Sequence, residues 1–248
     1  MSLKSSLRRL APRAVRPYRI LSGRLGGRII VTSLYDYPAA ILGRTEKPLL
    51  EWFQQHVKPG ETWLDVGAHY GYSAIALAEL VGSEGRVYAF EPSLTTAGHL
   101  NRTRVLNRLD QIKVVPLGLG EPGDLRTVSV PVDRGMANHA LGGVGSEDIY
   151  VIGFDEFWRT IGERQVHGVK IDVQGMEAYT LSGMIRTLAQ QRPQLVLEFH
   201  AGSDRSSICQ LLSDVGYRLP AIPIEPLPAE SEPAYHDDRS YAFEPLPA

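Results

Sequence analysis

The stretch Leu64-Asp65-Val66-Gly67-Ala68-His69-Tyr70-Gly71-Tyr72-Ser73 gathers residue types suited to holding a small molecule. An apolar run ends at an acid, two glycines straddle a turn, and an Ala- and Leu-rich segment follows at once. Without a Cβ, Gly67 and Gly71 permit a tight turn or the close approach of a ligand to the backbone. Glu91 ends the next apolar run, 24 residues beyond Gly67, where a carboxylate can accept hydrogen bonds from ribose hydroxyls. A nicotinamide dinucleotide would call for G-x-G-x-x-G, with its pyrophosphate on a helix N-terminus. The pattern here is D-x-G-x-x-x-G, and an acid at that strand end suits a ligand carrying an amine or a sulfonium. A structural turn at Gly67 is the plain alternative.

A second group of residues could move a proton. Lys170 and Asp172 share one face of an extended run, as do Glu198 and His200 on another, because side chains in a strand alternate with a period of two. Asp172 is the first candidate for a base or a substrate-orienting acid, and His200 the second, since an imidazole titrates near neutrality. The competing readings are structural: Asp172 as the partner of a lysine or the cap of the next helix, Lys170 as an ion-pair partner, and Glu177 as an acid in a first helical turn. Oxygen atoms of Asp172, Glu198 and Gln174 could also hold Mg²⁺. No tight ligand spacing supports a metal, so no residue is assigned as a ligand. There is no Cys/His cluster for zinc, and Ser203–Ser207 lacks the setting of a hydrolase nucleophile.

Positioning these groups requires strands that end side by side. Thr62–Val66, Arg86–Phe90, Ile112–Leu117, Val166–Val173 and Leu195–Phe199 read as buried strands. Residues 72–81 and 93–107 read as helices, and Leu181, Met184, Ile185 and Leu188 fall at helical spacing, as do Ile208, Leu211, Leu212 and Val215. A helix is also expected ahead of them, with Thr45 as N-cap and Pro48 in its first turn. Strict alternation of strand and helix means βαβ units and a mostly parallel sheet covered on both faces. Ser240–Phe243 could close that sheet as an antiparallel last strand. Thr127–Val132 and the Gly-, Asn- and His-rich residues 135–145 interrupt the alternation. They define an insertion at about residues 121–165, sited to form a substrate lid or a plain hairpin.

Composition narrows the class. The 248 residues are 43% hydrophobic and 22% charged, with net charge −2, the profile of a globular chain with a sizeable core. Near-neutral charge argues against a nucleic-acid partner, and the single cysteine, Cys209, excludes an intramolecular disulfide. No apolar run is long enough for a transmembrane segment, and a cytoplasmic location is expected. Charge is uneven, however. Before Asp36 there is no acid, while Lys4, Arg8, Arg9, Arg13, Arg16, Arg19, Arg24 and Arg28 are basic. Residues 1–45 are therefore set apart as a basic arm with a short strand near Arg28–Thr32, and residues 46–248 as the main domain. The arm could guide an anionic acceptor or serve a homo-oligomer contact.

Taken together, Asp65-Val66-Gly67-Ala68 with Gly71, Phe90-Glu91-Pro92 and Val169-Lys170-Ile171-Asp172-Val173-Gln174-Gly175-Met176-Glu177 resemble the class I S-adenosylmethionine-dependent methyltransferases, and more narrowly the FkbM family. The resemblance covers about residues 45–200. It implies an α/β, Rossmann-like fold with a mostly parallel seven-stranded sheet, and methylation of a hydroxyl on a sugar or specialised metabolite. It further implies that Asp65, Gly67, Ala68, His69, Gly71 and Ser73 surround the methionine half of S-adenosylmethionine. Glu91, with Pro92 and Ser93 beside it, would hold the ribose, Leu117 would cover the adenine, and Asp172 would close the site. Glu46 matches an acid the family often carries ahead of the core. This chain has His69 where the family usually has Asn, and Gln174 where it usually has Glu. A cofactor-binding protein without turnover and a nicotinamide-dependent oxidoreductase are the two rival readings.

Overall fold

The two periodicities become a sheet with helices against both faces. The computed structural model describes residues 11–133, 135–137, 146–162, 164–228 and 233–247. Along the chain these form β1 (Arg16–Arg19), β2 (Ile29–Thr32), α1 (Pro38–Leu42), α2 (Lys47–His56), β3 (Thr62–Val66), α3 (Tyr72–Val81), β4 (Arg86–Phe90), α4 (Leu94–Asn107) and β5 (Ile112–Val115). Then come β6 (Gly118–Gly120), β7 (Leu125–Asp133), β8 (Met136–Ala137), β9 (Ser146–Gly153) and α5 (Phe154–Thr160). The chain continues through β10 (Gly168–Ile171), α6 (Glu177–Gly183), α7 (Ile185–Gln191), β11 (Gln194–Phe199), α8 (Arg205–Asp214), β12 (Ile222–Pro223) and β13 (Arg239–Phe243).

The main sheet has seven strands in the order β12-β13-β11-β10-β3-β4-β5. β5, β4, β3, β10 and β11 run parallel, and β13 lies antiparallel to β11, as Ser240–Phe243 suggested. From β3 the chain winds outward to β5, then returns to β10 on the other side of β3. That reversal creates a crevice between the carboxyl ends of β3 and β10, the usual place for a ligand in an open α/β sheet. Every residue of β3 is buried, which explains why Trp63, Leu64 and Val66 are apolar and why Asp65 stands out among them. One core holds Trp63, Phe53, Ile75, Leu77 and Leu100 on one face; the other holds Leu64, Phe90, Trp158, Leu197 and Tyr241.

Helix boundaries differ from the sequence reading in two places. Glu46, not Thr45, occupies the N-cap position of α2, in the left-handed region at φ 52° and with no side-chain cap. The periodic run through Leu181 and Leu188 is two short helices that meet at Met184.

Residues 11–45 pack onto the core instead of trailing away from it. Ile20, Leu25, Ile30 and Val31 are almost wholly buried, β1 pairs antiparallel with β2, and Val31 N–H donates to Thr103 Oγ1 of α4 at 2.9 Å. Lys4, Arg8 and Arg9 lie outside the described residues. The insertion forms a second sheet in the order β6-β9-β7-β8. It is fastened to the start of α4, where Ser93 Oγ donates to Glu147 at 2.7 Å and Thr96 Oγ1 donates to the Gly135 carbonyl at 2.9 Å. Most of the Gly-, Asn- and His-rich stretch, residues 138–145, is outside the described residues. No helix among the described residues is long and apolar enough to cross a membrane.

Candidate cofactor pocket and acid cluster

A cavity of about 590 Å³ opens at the β3–β10 crevice and runs beneath the small sheet. Gly67, Ala68, His69 and Ser73 line it from the first turn, Glu91 and Pro92 from the end of β4, and Leu117 and Gly118 from the chain after β5. Lys170, Asp172 and Gln174 form the wall beyond β10, with Tyr37 and Glu46 facing them from the N-terminal segment. Arg126, Val128, Val130, Ile149 and Val151 of the insertion close the far side, so the insertion covers the pocket. The volume is within the range of small-molecule sites, about 300–1,000 Å³.

The protein's own chain leaves no room for a side chain at either glycine. Gly67 has φ 79°, and a Cβ there would meet the Asp172 carbonyl oxygen at 1.8 Å. Gly71, at φ 92°, would press a Cβ onto Leu100 Cδ1 at 2.7 Å. What approaches these backbones is the protein itself: β10's continuation at Gly67 and helix α4 at Gly71. The resulting turn aims Gly67 N–H and Ala68 N–H at the Phe90 carbonyl, at 3.0 and 2.9 Å. It also leads His69 N–H to Glu91.

Glu91 is 4% exposed and has its two oxygens held apart by backbone donors, His69 N–H at 2.9 Å and Ser93 N–H at 3.0 Å. Burial pushes its carboxyl up to about 8, against the pull of those donors and of Lys170. Ser93 reaches the site only through its backbone, because its side chain caps α4 and bonds Glu147. Asp65 does not line the cavity. It is fully buried, accepts from Ser73 Oγ at 2.7 Å, and has Lys170 Nζ 3.4 Å from its other oxygen. Its work is to fix two side chains that do face the cavity.

Lys170 is the electrostatic centre. Its ammonium also lies 3.3 Å from Asp172 Oδ2. Burial alone would lower its pKa, but Asp172, Asp65, Glu46 and Glu198 together outweigh burial and raise it, so the lysine stays charged. In return, although burial opposes it, Lys170 and His200 hold the Asp172 carboxyl below its usual range. Glu46 accepts from Tyr37 O–H at 2.5 Å through Oε1, and its buried Oε2 has no hydrogen-bond partner among the described residues. Burial raises its pKa. Glu46 is thus a cavity acid with an acceptor to spare.

His200 stands behind this wall and does not line the cavity. Its Nδ1–H donates to Glu177 at 2.7 Å, and its Nε2 meets Gln174 at 2.7 Å and Asp172 at 3.4 Å. Burial works to lower its pKa, but the Glu177 hydrogen bond and the carboxylates of Asp172 and Glu198 raise it. Glu198, beside it, is pushed up to about 7 by burial and by Asp172. The sequence reading placed the insertion over the site as a possible lid but named neither Tyr37 nor the individual residues Arg126, Val128, Val130, Ile149 and Val151, which tertiary folding brings to the cavity. Only the alternation in Thr127–Val132 could have pointed to Val128 and Val130.

The model of the methyltransferase FkbM domain matches residues 65–219 of this chain, which spans the turn, β4's acid and the whole Lys170–His200 cluster. The chain belongs to the FkbM methyltransferase family. A curated relative, the hexuronic acid methyltransferase AglP of Haloferax volcanii, is 28% identical over 174 residues, 69% of each chain. Among solved structures, a methyltransferase FkbM from Methylobacillus flagellatus superposes with a TM-score of 0.51 at 20% identity, covering 84% of this chain. This chain spans 53% of that protein's length. Aeropyrum pernix fibrillarin, solved with S-adenosyl-L-methionine, gives 0.50 at 16% identity over 94% of this chain and 88% of its own. These likenesses establish the class I methyltransferase fold, with its helices on both faces of a mostly parallel sheet. FkbM family membership does not favour the nicotinamide-dependent reading.

Proposed function

We propose that this FkbM-family protein is an S-adenosylmethionine-dependent O-methyltransferase acting on a hydroxyl of a sugar. The observation that carries the reading is the pairing of Glu91 with the Gly67 turn on one wall of a cavity whose other wall is Lys170, Asp172 and Glu46. Glu91 offers two held oxygens for the ribose hydroxyls, and Pro92 and Leu117 flank the place for an adenine. The spare Oε2 of Glu46 suits the ammonium of the methionine half, a fit that its lack of a partner supports. When bound, S-adenosylmethionine supplies a methyl group already activated by the positive sulfur.

The remaining work is positioning. Asp172 accepts a hydrogen bond from the acceptor hydroxyl and turns an oxygen lone pair toward the cavity interior. As the new O–C bond forms, that oxygen gains positive charge and its proton becomes far more acidic than a carboxylic acid. A carboxylate of lowered pKa is then base enough to take it. Lys170 holds Asp172 from one side and the Gly67 carbonyl at 3.4 Å from the other. His200 positions Asp172 from behind. A cation at Asp172, such as Mg²⁺, fits the reading as a second means of acidifying the hydroxyl.

The acceptor class draws on AglP's printed activity and on Arg126, a cation at the cavity wall suited to a sugar carboxylate. Incubation with methyl-labelled S-adenosylmethionine and a panel of hexuronic acids, neutral glycosides and nucleotide sugars tests this. Label in an ether-linked methyl on a sugar is expected. Tight S-adenosylhomocysteine binding with no transfer to any acceptor would favour the cofactor-binding rival.

A further inference from the structure

At and behind Asp172, the carboxyl ends of β10 and β11 bring together three side chains of metal-ligating type. His200 Nε2 lies 3.4 Å from Asp172 Oδ1 and 3.6 Å from Glu198 Oε1, and the three ligand atoms all fall within 4.8 Å of one another. Two atoms that share an ion at about 2.1 Å stand about 3.0–3.4 Å apart at octahedral or tetrahedral angles. The two spacings to His200 therefore need only a small contraction.

The imidazole is already oriented for such a role. Its Nδ1–H donates to Glu177 Oε1, and Glu177 is itself fixed by Ser203 Oγ at 2.6 Å and Gly175 N–H at 3.0 Å. A carboxylate on Nδ1 selects the tautomer whose Nε2 lone pair points into the cluster, the outer support commonly found behind metal-bound histidines. Asp172 and Glu198 converge on that same nitrogen. Gln174 Nε2–H sits there at 2.7 Å from His200 Nε2. Rotation of that amide presents its oxygen to the same point, adding a fourth donor. Glu198 is steadied in turn by Ser240 Oγ at 3.0 Å.

The Asp172 and Glu198 side chains are 27% and 25% exposed, so an ion can reach their carboxylates. We propose that Asp172, Glu198 and His200 form a divalent-cation site, built for a metal that accepts imidazole and carboxylate together. Mn²⁺ and its first-row neighbours meet that description better than Mg²⁺, which prefers oxygen donors. Binding of the ion is independent of methyl transfer. Its use rests on the reading above: bound beside Asp172, it would take the acceptor hydroxyl as a further ligand and lower the hydroxyl's pKa.

The test uses full-length protein dialysed against EDTA and titrated with MnCl₂, with free Mn²⁺ followed by electron paramagnetic resonance. One Mn²⁺ per chain is expected. Affinity should fall at least tenfold in His200→Ala and Glu198→Gln, and about 10–100-fold in Glu177→Gln, which alters only the outer support. Calorimetric titration of the same samples with S-adenosylhomocysteine reports whether each variant is folded and competent. No Mn²⁺ uptake at millimolar concentration, or equal uptake by wild type and His200→Ala, overturns the site while leaving the cofactor reading intact. Mn²⁺ uptake without S-adenosylhomocysteine binding would sink the cofactor reading and keep the cation site.

Discussion

Lys170 stands opposite Asp65 in the parallel register of β10 and β3, with its ammonium 3.4 Å from a carboxylate that has no solvent exposure. Asp65 Oδ1 has no hydrogen bond, so the lysine supplies its charge compensation. Removing one partner of a buried pair leaves an unpaired charge, at a cost of about 3–5 kcal/mol. Lys170→Met should therefore lower unfolding free energy in urea by that amount, and adding Asp65→Asn should restore most of it. A loss below about 1 kcal/mol, within the range of a surface ion pair, would show that Asp65 is not held this way.

Gly67→Ala should be among the most damaging single changes in the turn. The added methyl group meets the Asp172 carbonyl at 1.8 Å and the residue holds a left-handed φ, so β3 and β10 must separate at their ends. Destabilisation of at least about 2 kcal/mol is expected by thermal or chemical unfolding. Affinity for S-adenosylhomocysteine should fall with it, because the turn that leads His69 N–H to Glu91 moves too. Gly60, by contrast, has nothing within 4 Å of its Cβ position. Gly60→Ala therefore controls for strain at a left-handed residue without a clash.

Glu91 ties cofactor affinity to pH. Its carboxyl is pushed up to about 8 in the ligand-free protein, and ribose hydroxyls bind best to the ionised form. Affinity for S-adenosylhomocysteine should then fall as pH drops through 8, by up to about tenfold per unit, and level off above it. Stability of the ligand-free fold runs the other way. The contribution from a carboxylate raised in the folded state is fully present below its unfolded range and disappears as pH rises through 8. Calorimetry between about pH 6 and about pH 9 decides the matter. A flat wild-type profile, or one unchanged in Glu91→Gln, would contradict it.

Asp172→Asn keeps the side chain's size but removes its charge and basicity. Turnover should fall by about 10²–10⁴, with a small change in S-adenosylhomocysteine affinity. A variant of unaltered turnover would move the proton-accepting role elsewhere in the cluster.

Strand ends and their acids were legible in the sequence because buried parallel strands are nearly uniform apolar runs, in which Asp65, Glu91, Lys170 and Asp172 stand out. The role of each acid was less so. Asp65 and Glu91 look alike on paper, yet folding buries one against Lys170 and sets the other at the cavity with two backbone donors. Gly67 and Gly71 marked positions without room for a side chain, and the structure puts the Asp172 carbonyl and Leu100 against them. Tyr37 was illegible, and the insertion was legible only as a possible lid, because the place of their side chains at the site depends on contacts between distant segments. β12, with two residues, is too short to carry a period.

In the proposed function, one cavity holds a nucleoside against Glu91 and directs a sulfur toward Asp172. A crystal structure with S-adenosylhomocysteine tests it most directly. Ribose hydroxyls are expected on Glu91, adenine between Pro92 and Leu117, the ammonium on Glu46, and the sulfur facing Asp172 across open space. A nucleoside lodged away from Glu91, or a sulfur turned from Asp172 toward packed side chains, would contradict it.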